Sequence, residues 1–311
     1  KKPECAGKDC GDDGCGGTCG KCGTGQTCEA GACKAVVTCT DCSGTVDVPA
    51  GTFWMGCNPA TGPGCPDPAE TPYHEVSLSA YRIDRYEVTN ARLVDFLNNA
   101  ASDVCGGRSR SDCVAVSTST SPVYYDEPPA SGPLSFHVKP GRENDPAQVA
   151  RWLGAVAFCQ FWAKGHVCSE AQWERAARGT DGRSYPWGNG EPGCDLVVVK
   201  GEGGFGCPGV AGPMHVGSVP AGQSPCGAMD MAGNAAEWVY DYYDAGYYQS
   251  GPKQDPVQSE DVEGAGMGVL RGGSWAGYNL EALWKPFMTF TRAWSKQTNP
   301  AGFRCCYEVA P

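Results

Sequence analysis

The sequence predicts a loop-rich α+β domain that follows a small module held together by disulfide bonds. Of the 311 residues, 44 are Gly and 24 are Pro, about a fifth of the chain, which is typical of a fold with many turns. The 20 cysteines are an even number, and this density is typical of proteins that fold in an oxidising compartment. Apolar residues make up 41% of the chain, enough to form a buried core.

The first 35 residues contain seven cysteines and no Val, Ile, Leu, Met or aromatic residue. Such a segment cannot bury an apolar core, so we expect disulfide bonds to hold it together. The composition changes at Gly44–Pro49, and all aromatic residues lie beyond residue 45. We therefore predict a cysteine-rich knot or stalk over residues 1–45 and a second domain over residues 46–311.

A zinc site is an alternative for the first module. Cys19-x2-Cys22 followed by Cys39-x2-Cys42 has the nominal spacing of a zinc ribbon. Crowded cysteines also generate this spacing by chance, and five other cysteines interleave with these four. Both interpretations stay open.

Charge and hydropathy exclude two classes of protein. The net charge of −11 and the isoelectric point near 4.8 argue against binding to a nucleic acid backbone. No run of 18 apolar residues occurs, so we expect no transmembrane segment. With the cysteine content, this predicts a secreted or cell-surface protein whose signal peptide has been removed.

Two β segments are predicted near the start of the second domain. The sequence VDVPAGTFWMG predicts a β-hairpin over Val46–Met55, with a Pro-Ala-Gly turn. The alternation in EVSLSAYRIDRY predicts one strand over Glu75–Tyr86 with one buried face. Residues 100–145 are rich in Ser, Pro, Asp and Gly, so we expect a long surface loop there.

Three helices are predicted. The first follows a cap at Thr89 or Asn90. The second runs from about Pro146 to Ala163, and the third opens on the capping box Ser169-Glu170-Ala171-Gln172 and stops at Gly179.

Two local disulfides are predicted from spacing. Cys57 and Cys65, and likewise Cys105 and Cys113, each close a short loop of turn-forming residues.

Cys194, Cys207 and Cys226 form an odd set. One of them is therefore expected to pair outside the set, with Cys39 or Cys42 as candidates.

The sequence contains no familiar catalytic motif. There is no Gly-x-Gly-x-x-Gly loop, no P-loop, no His-Glu-x-x-His and no Gly-x-Ser-x-Gly elbow. The four histidines are far apart in the sequence, which favours structural roles for them.

Seven motifs together resemble the formylglycine-generating enzyme family, also called sulfatase-modifying factor domains. They occur in order over roughly residues 46–308, and no single one of them is specific. The motifs are VPAGTFWMG at 48–56, YRIDRYEVTNARLVDFLN at 81–98, AVAFCQFWAKGHVCSEAQWERAARG at 155–179, YPWGN at 185–189, MDMAGNAAEWVYD at 229–241, VLRGGSW at 269–275 and GFRCC at 302–306.

The resemblance implies a loop-rich fold related to C-type-lectin-like domains and a copper-dependent oxidase that acts on sulfatase cysteines. In active members, two cysteines after the Gly-Gly-Ser-aromatic motif bind copper, because soft thiolates select Cu(I). In this sequence, Gly277 and Ala282 fall at those positions, and no cysteine occurs between Cys226 and Cys305. We therefore expect no copper and no catalytic residue.

The resemblance also implies two long-range disulfides. It links the position of Cys159 to the cysteine after Gly-Phe-Arg, and Cys168 with Cys306 looks like a matched addition. Adjacent cysteines rarely bridge each other. We therefore expect Cys159 and Cys168 to pair with Cys305 and Cys306.

A structural calcium site is the third implication. The family binding positions fall on Asp230, Gly233, Ala235 and Glu237, where carboxylates and loop carbonyls provide the hard oxygen ligands that Ca²⁺ prefers. The alternative is that Asp230 caps a turn and Glu237 pairs with an arginine. A second calcium site of the family would begin at Asp195 and the Leu196 carbonyl, but no Asp occurs from 197 to 229 to complete it.

The function predicted from these points is a non-catalytic binding or assembly module. A surface ligand, a protein partner or self-assembly would then involve an aromatic patch after the Gly-Gly-Ser-Trp motif; the patch residues are Tyr278, Trp284, Phe287 and Trp294. The same aromatics could equally form core. A copper-dependent oxidase with thiols from elsewhere, or an unrelated enzyme that uses the same pocket, are the alternative functions.

Overall fold

A computed structural model of the chain describes residues 26–29, 32–35, 44–59, 65, 67–100, 105, 112–116, 121–125, 134–200, 207, 209–262, 264–276, 288–289 and 291–309. The chain forms two compact units, residues 1–40 and residues 41–311. In the first unit, strands β1 (Gln26–Glu29) and β2 (Ala32–Ala35) form an antiparallel hairpin.

The second unit contains short strands and helices joined by long loops. The strands are β3 (Thr45–Val48), β4 (Gly51–Met55), β5 (His74–Leu78), β6 (Tyr81–Asp84), β7 (Val123–Tyr125), β8 (Phe136–Val138), β9 (His166–Val167), β10 (Glu237–Tyr242), β11 (Met267–Arg271), β12 (Ala293–Lys296), β13 (Gly302–Phe303) and β14 (Cys305–Glu308). The helices are α1 (Asn90–Asn99), α2 (Trp152–Ala157), α3 (Glu170–Arg178) and α4 (Tyr247–Ser250), with a π-helix at Phe158–Trp162. None of the described helices combines the length and apolar character needed to cross a membrane.

Two four-stranded sheets organise this unit. One has the order β3-β6-β14-β9, and the other has the order β12-β11-β10-β13, in which β10 and β13 are parallel. Strands β4 and β5 form a separate pair. The segment expected to be a long loop over residues 100–145 contains another pair, β7 and β8.

The predicted hairpin over Val46–Met55 is wrong in its pairing. Both strands exist, but β3 pairs with β6 and β4 pairs with β5. The single strand predicted over Glu75–Tyr86 is likewise two strands that belong to different sheets. Strands β3, β4 and β5 bury alternate residues, as the pattern indicates, but the short connections at 49–50 and 79–80 carry the chain from one sheet to the other. An alternating apolar pattern predicts which face of a strand is buried, but it does not predict with which strand it pairs.

Helices α1 and α3 begin where their caps predict. Thr89 Oγ1 accepts a hydrogen bond from the Arg92 N–H at 3.3 Å. Ser169 and Gln172 form the expected reciprocal capping box, and α3 is followed by Gly179 with a φ of 68°.

The second predicted helix starts six residues late, at Trp152 rather than Pro146. Pro146 forms an isolated β-bridge with Thr89, and Ala150 forms bridges with Val114 and Ala301. Because residues 146–150 form these long-range backbone pairs, they are not part of the helix that the apolar periodicity predicts there. The helix continues as a π-helix through Trp162.

Five disulfides cross-link the described part of the second unit. They are Cys57–Cys65, Cys105–Cys113, Cys159–Cys305, Cys168–Cys306 and Cys194–Cys207. The first four are the pairs expected from the sequence and from the resemblance.

Cys226 is a free thiol in the structure, in contrast to the expected bridge to Cys39 or Cys42, two residues that lie outside the described ranges. The Cys226 Sγ lies 3.4 Å from the Ala176 carbonyl and 3.3 Å from the Ser224 hydroxyl.

Buried ion pairs attach α3 to the second sheet. Arg271, the last residue of β11, donates to Glu170 Oε1 at 2.9 Å and to Glu174 Oε2 at 2.6 Å. Arg292 donates to both oxygens of Glu170, at 2.7 and 2.9 Å. We call these four residues the Arg271 network. Because every member is buried, each charge requires its partner.

Asp241 of β10 also packs against the first turn of α3. Its carboxylate accepts hydrogen bonds from the N–H groups of Glu170, at 2.7 Å, and Gln258, at 2.9 Å. Burial, reinforced by the nearby Glu170 carboxylate, raises the pKa of Asp241 to about 7.

Removal of the long-range disulfide Cys168–Cys306 should destabilise the protein more than removal of the local disulfide Cys57–Cys65. Cys168 and Cys306 are 138 residues apart in sequence, whereas Cys57 and Cys65 are separated by 8. By loop-closure entropy we expect losses in unfolding free energy of about 5 kcal/mol for Cys168→Ala/Cys306→Ala and about 2.5 kcal/mol for Cys57→Ala/Cys65→Ala. Urea unfolding of both double variants measures this, and equal losses would contradict it.

Asp241 should make stability depend on pH. The pKa of Asp241 lies above the ordinary 3.8, so the folded state binds a proton that the unfolded state has released. The contribution to unfolding free energy is present below about pH 4 and is lost as pH rises through 7, at about 1.4 kcal/mol per pH unit. Asp241→Asn should flatten this slope. Asp95→Asn, at an exposed position of α1, is the control, and an unchanged slope in Asp241→Asn would refute the assignment.

Candidate functional site

A cleft of about 700 Å³ opens beside the ends of β11 and β12. Its floor includes the segment Arg271–Ala276, and one wall includes Trp294 and Asn299. The cleft therefore lies at the Gly-Gly-Ser-Trp motif. The family resemblance places the copper-binding cysteines of active members just after this motif.

The backbone of the floor is held in a conformation that favours glycine. Gly272 and Gly273 have φ angles of 85° and 69°, in the left-handed region. A Cβ on Gly272 would lie 3.2 Å from the Trp173 ring. The backbone N–H of Trp275 donates to the Asn234 carbonyl at 3.0 Å, and the Trp275 carbonyl accepts from the Lys200 N–H at 2.6 Å. These contacts fix the direction in which the chain leaves β11.

Gln148 fixes the Trp275 ring. Its amide oxygen accepts from Trp275 Nε1 at 3.2 Å, and its amide nitrogen donates to the Asn234 carbonyl at 2.8 Å. A single amide therefore connects the cleft floor to the loop that precedes β10.

Below the floor, the positive charge of Arg271 is neutralised by Glu170 and Glu174, the two carboxylates of the Arg271 network. Its Nη2 also donates to the Thr289 carbonyl at 2.6 Å. Burial alone would lower the pKa of Arg271, but Glu174 and Glu170 outweigh it and raise the pKa above the ordinary value. Arg271 is thus a permanently charged structural residue and no proton donor or acceptor.

Trp294 forms the exposed edge of the cleft. Its side chain is 56% exposed, and its ring lies 5.9 Å from that of Tyr243. Of the predicted aromatic patch, Trp294 is the member that the structure places on this wall. Tyr278, Trp284 and Phe287 lie outside the described residues, as do Gly277 and Ala282.

The described lining offers little for covalent chemistry. It contains no Cys, His, Asp or Glu among the residues that the structure places around the cleft. Ser274 is present, but no base faces it from this lining. The arrangement can bind a ligand through aromatic, amide and hydroxyl groups.

The residues expected to bind calcium lie in a second, buried location. Asp230 has a φ of 56°, and its Oδ2 accepts from the Gly217 N–H at 2.6 Å. Its Oδ1 is buried and has no hydrogen-bond partner. Glu237 accepts hydrogen bonds from Trp173 and from Arg304, whose Nη2 is 2.6 Å from Oε1. Gly233 has a φ of 74°, and Ala235 is fully buried.

Glu87 joins this acidic cluster, and sequence reasoning missed it. It is fully buried and accepts from Asn234 Nδ2 at 2.7 Å and from the Ala235 N–H at 2.8 Å. Burial raises the pKa of Glu87 well above its ordinary value, and the neighbouring Asp230 and Glu237 add to the shift. No local pattern marks Glu87, because the groups around it, those of Asn234, Ala235 and Asp230, are distant in sequence.

Burial likewise raises the pKa of Asp230, to about 6. Three carboxylates thus converge on one guanidinium, that of Arg304. The pairing of Glu237 with Arg304 is the alternative that the sequence left open, whereas the orphaned Asp230 oxygen fits a bound cation. The described residues contain no group of three or more His, Cys, Asp or Glu side chains placed to hold a metal, so carbonyl oxygens would have to complete the ligand set.

Asp195 and Leu196, the start of the second expected calcium site, lie in a turn where the Leu196 N–H donates to the Gly193 carbonyl. Asp195 is exposed, and the Leu196 carbonyl faces Gly222, where a Cβ would approach it to 2.0 Å.

Comparison with known proteins places these features in a family. Residues 33–309 match the Sulfatase-modifying factor enzyme 1-like domain. The Formylglycine-generating enzyme of Streptomyces coelicolor is 32% identical over 255 residues, which cover 75% of this chain and 78% of that protein. The Hercynine oxygenase of Mycolicibacterium thermoresistibile is 31% identical over 245 residues, 72% of this chain and 50% of that protein, so the chain spans half of its length.

Solved structures share the fold. PvdO from Pseudomonas aeruginosa superposes with a TM-score of 0.63 at 22% identity, covering 88% of this chain and 97% of that one. The Treponema denticola variable protein 1 superposes with a TM-score of 0.55 at 20% identity, covering 85% and 94%. The family match extends over most of the second unit, and therefore the chain belongs to the Sulfatase-modifying factor enzyme 1-like domain family.

Proposed function

We propose that this chain is a non-catalytic, ligand-binding member of its family that works as a secreted or cell-surface protein. One observation carries the proposal: the described walls of the cleft hold aromatic, amide and hydroxyl side chains and neither thiol, imidazole nor carboxylate. A surface with these groups can select a ligand by shape and hydrogen bonding, but it has no group to transfer electrons or activate a nucleophile.

Copper does not fit the residues present. Its two thiolates would be at positions occupied by Gly277 and Ala282. Cys305 and Cys306 cannot replace them, because both are in disulfides. The free thiol in the described ranges, Cys226, is a single sulfur and is not among the cleft-lining residues. We derive no oxidase chemistry through copper for this chain.

The alternative function is that of the relatives named formylglycine-generating enzyme. Identity of 32% supports a shared scaffold, and a scaffold can be retained while its chemistry changes. An unrelated enzyme that uses the same cleft would need one of the lining hydroxyl groups, those of Ser274, Thr291 and Ser295, or a residue outside the described lining as its nucleophile.

The proposed location follows from cross-linking. Of the described cysteines in the second unit, ten are paired in five disulfides, and such bonds persist in oxidising compartments. A surface ligand, a protein partner or further copies of the chain are the partners consistent with a binding module.

We also propose a structural Ca²⁺ held by Asp230, Glu237 and the carbonyls of Gly233 and Ala235. Asp230 Oδ1 supports it as a buried oxygen without a partner. Ca²⁺ would favour the ionised forms of Glu87 and Asp230, whose pKa values burial otherwise raises. Asp195 and the Leu196 carbonyl stay a secondary proposal for a second ion.

The first test is an assay for aldehyde formation. Incubation with Cu(I), oxygen and a sulfatase peptide should leave the peptide cysteine unchanged, because the chain lacks the thiolate pair. Mass spectrometry of the peptide measures the outcome, with the Streptomyces coelicolor enzyme as the positive control. Turnover to formylglycine above the no-protein background would refute the non-catalytic proposal.

The second test concerns calcium. A chelator should lower the melting temperature by about 5–10 °C, and Ca²⁺ at about 100 times its Kd should restore it. Asp230→Ala should abolish the response, because it removes the unpartnered carboxylate. Glu75→Ala, which removes an exposed carboxylate of β5, should respond like the native chain. Equal melting temperatures of the native chain in chelator and in Ca²⁺ would reject the site.

A further inference from the structure

We infer that one buried water molecule binds in a small polar cavity beside the Arg271 network and joins helix α4 to strand β10 and the first turn of helix α3. The inference does not depend on the proposed function. The observation that carries it is the buried hydroxyl of Tyr248, a residue that lines the cavity. This hydroxyl forms no hydrogen bond with any described residue.

The cavity has the size of a single water molecule. Its volume is about 10 Å³, close to that of one water-sized sphere. Polar side chains line it from four elements: His74 of β5, Glu170 of α3, Asp241 of β10, and Tyr247 and Tyr248 of α4. A cavity of this size binds water when several of its walls are polar, whereas a wholly apolar one stays dry.

Tyr248 provides the group that needs a partner. The residue is 3% exposed, its ring lies 4.4 Å from the guanidinium carbon of Arg292, and the His74 ring packs 4.9 Å away. Burial raises the pKa of the Tyr248 phenol well above its ordinary value, and the Glu170 carboxylate adds to the shift. The hydroxyl therefore keeps its proton at neutral pH, and a buried hydroxyl that donates to nothing is unfavourable.

Tyr247 adds a second phenol to the same cavity. Its hydroxyl is buried, and the Val257 N–H is near the oxygen, which leaves the hydroxyl proton to donate. Burial raises the pKa of Tyr247 to about 12, and the neighbouring Asp241 carboxylate contributes to the shift. Both phenols can therefore donate to an occupant that accepts hydrogen bonds.

Acceptors line the cavity as well. His74 Nδ1 lies 2.8 Å from the Pro72 carbonyl, and since a carbonyl only accepts, the neutral ring carries its proton on Nδ1 and a lone pair on Nε2. Burial lowers the pKa of His74, which favours this neutral form. The two Asp241 oxygens accept from the N–H groups of Glu170 and Gln258, and each has a second lone pair. An occupant that both donates and accepts, as water does, matches these groups.

The charges beside the cavity favour a neutral occupant. Glu170 and Glu174 are paired with Arg271, and Glu170 is also paired with Arg292. A cation would compete with these arginines for their carboxylates, whereas an anion would lie against Glu170 and Asp241. Water binds there without adding a charge to a buried network.

A water in this position supports the network that positions the cleft floor. It connects the phenols of α4 to Asp241, which accepts from the Glu170 N–H at 2.7 Å. Glu170 in turn accepts from Arg271, the residue before Gly272, at 2.9 Å. The hydrogen bonds of the water therefore extend the Arg271 network to helix α4.

Tyr248→Phe tests the inference by the sign of its effect on stability. With the water bound, this variant removes one hydrogen bond from a buried water, so the equilibrium constant for unfolding should rise about fivefold or more. Without the water, the same variant removes an unpartnered buried hydroxyl and should lower the constant. Urea unfolding of the full chain measures it, and Phe keeps the ring contacts with Arg292 and His74.

Tyr124→Phe is the matched control. Tyr124 is half-buried on β7 and does not belong to the described lining of the cavity, so its loss of a hydroxyl should change the unfolding constant by less than about twofold. Both variants and the native chain are also unfolded in sodium, potassium and choline chloride at equal ionic strength. With water as the occupant, the ratio of the Tyr248→Phe and native constants should be the same in all three salts.

A high-resolution crystal structure of the native chain gives the direct observation. One density peak should lie within about 3 Å of Tyr248 Oη. A map without this peak would overturn the inference. So would an unfolding constant of Tyr248→Phe equal to or below the native one. A ratio of constants that changes with the cation would replace water with a metal ion and would also overturn it.

Discussion

The position of the cleft depends on one buried charge arrangement, in which Arg271 at the end of β11 is held by Glu170 and Glu174 of helix α3. The two carboxylates are four residues apart and therefore share one face of the helix. Removal of one partner of such a buried pair costs about 3–5 kcal/mol, because it leaves a charge without compensation. The next residues along the chain are Gly272 and Gly273, so the network fixes where the cleft floor begins.

A similar arrangement supports the neighbouring strand. Arg304 binds Glu237 at the start of β10, and Trp173 of α3 donates to the same carboxylate at 2.8 Å. Helix α3 is thus connected to β10 and β11 through side-chain polar contacts within a single core. The chain keeps the family fold, whereas Gly277 and Ala282 are found where the resemblance to active members places the copper-binding cysteines.

Local signals in the sequence predicted the parts of the fold that depend on few residues. Thr89 and the Ser169–Gln172 box specify helix starts through hydrogen bonds within one turn, and both starts are found in the structure. Strand partners and the late start of α2 were not predictable in the same way. They depend on pairings such as that of Ala150 with Ala301, which are distant in sequence and have no local pattern.

The site was predictable to a similar degree. The Gly-Gly-Ser-Trp segment and Trp294 are among the residues that line the cleft, but Gln148 was missed, because its role depends on Trp275 lying beside it. Glu87 was missed for the same reason: its acidity matters only when Asp230 is brought next to it. Buried charge clusters arise from tertiary packing, and a linear pattern does not reveal them.

Cu(I) affinity is the measurement that shows most directly whether the cleft is a binding site without the thiolate pair. Competition with a chromophoric Cu(I) chelator, followed by X-ray absorption at the copper edge, measures both the stoichiometry and the ligand atoms. We expect the chelator to retain the copper and no two-sulfur site to form on the protein. One Cu(I) per chain with two sulfur ligands would contradict it.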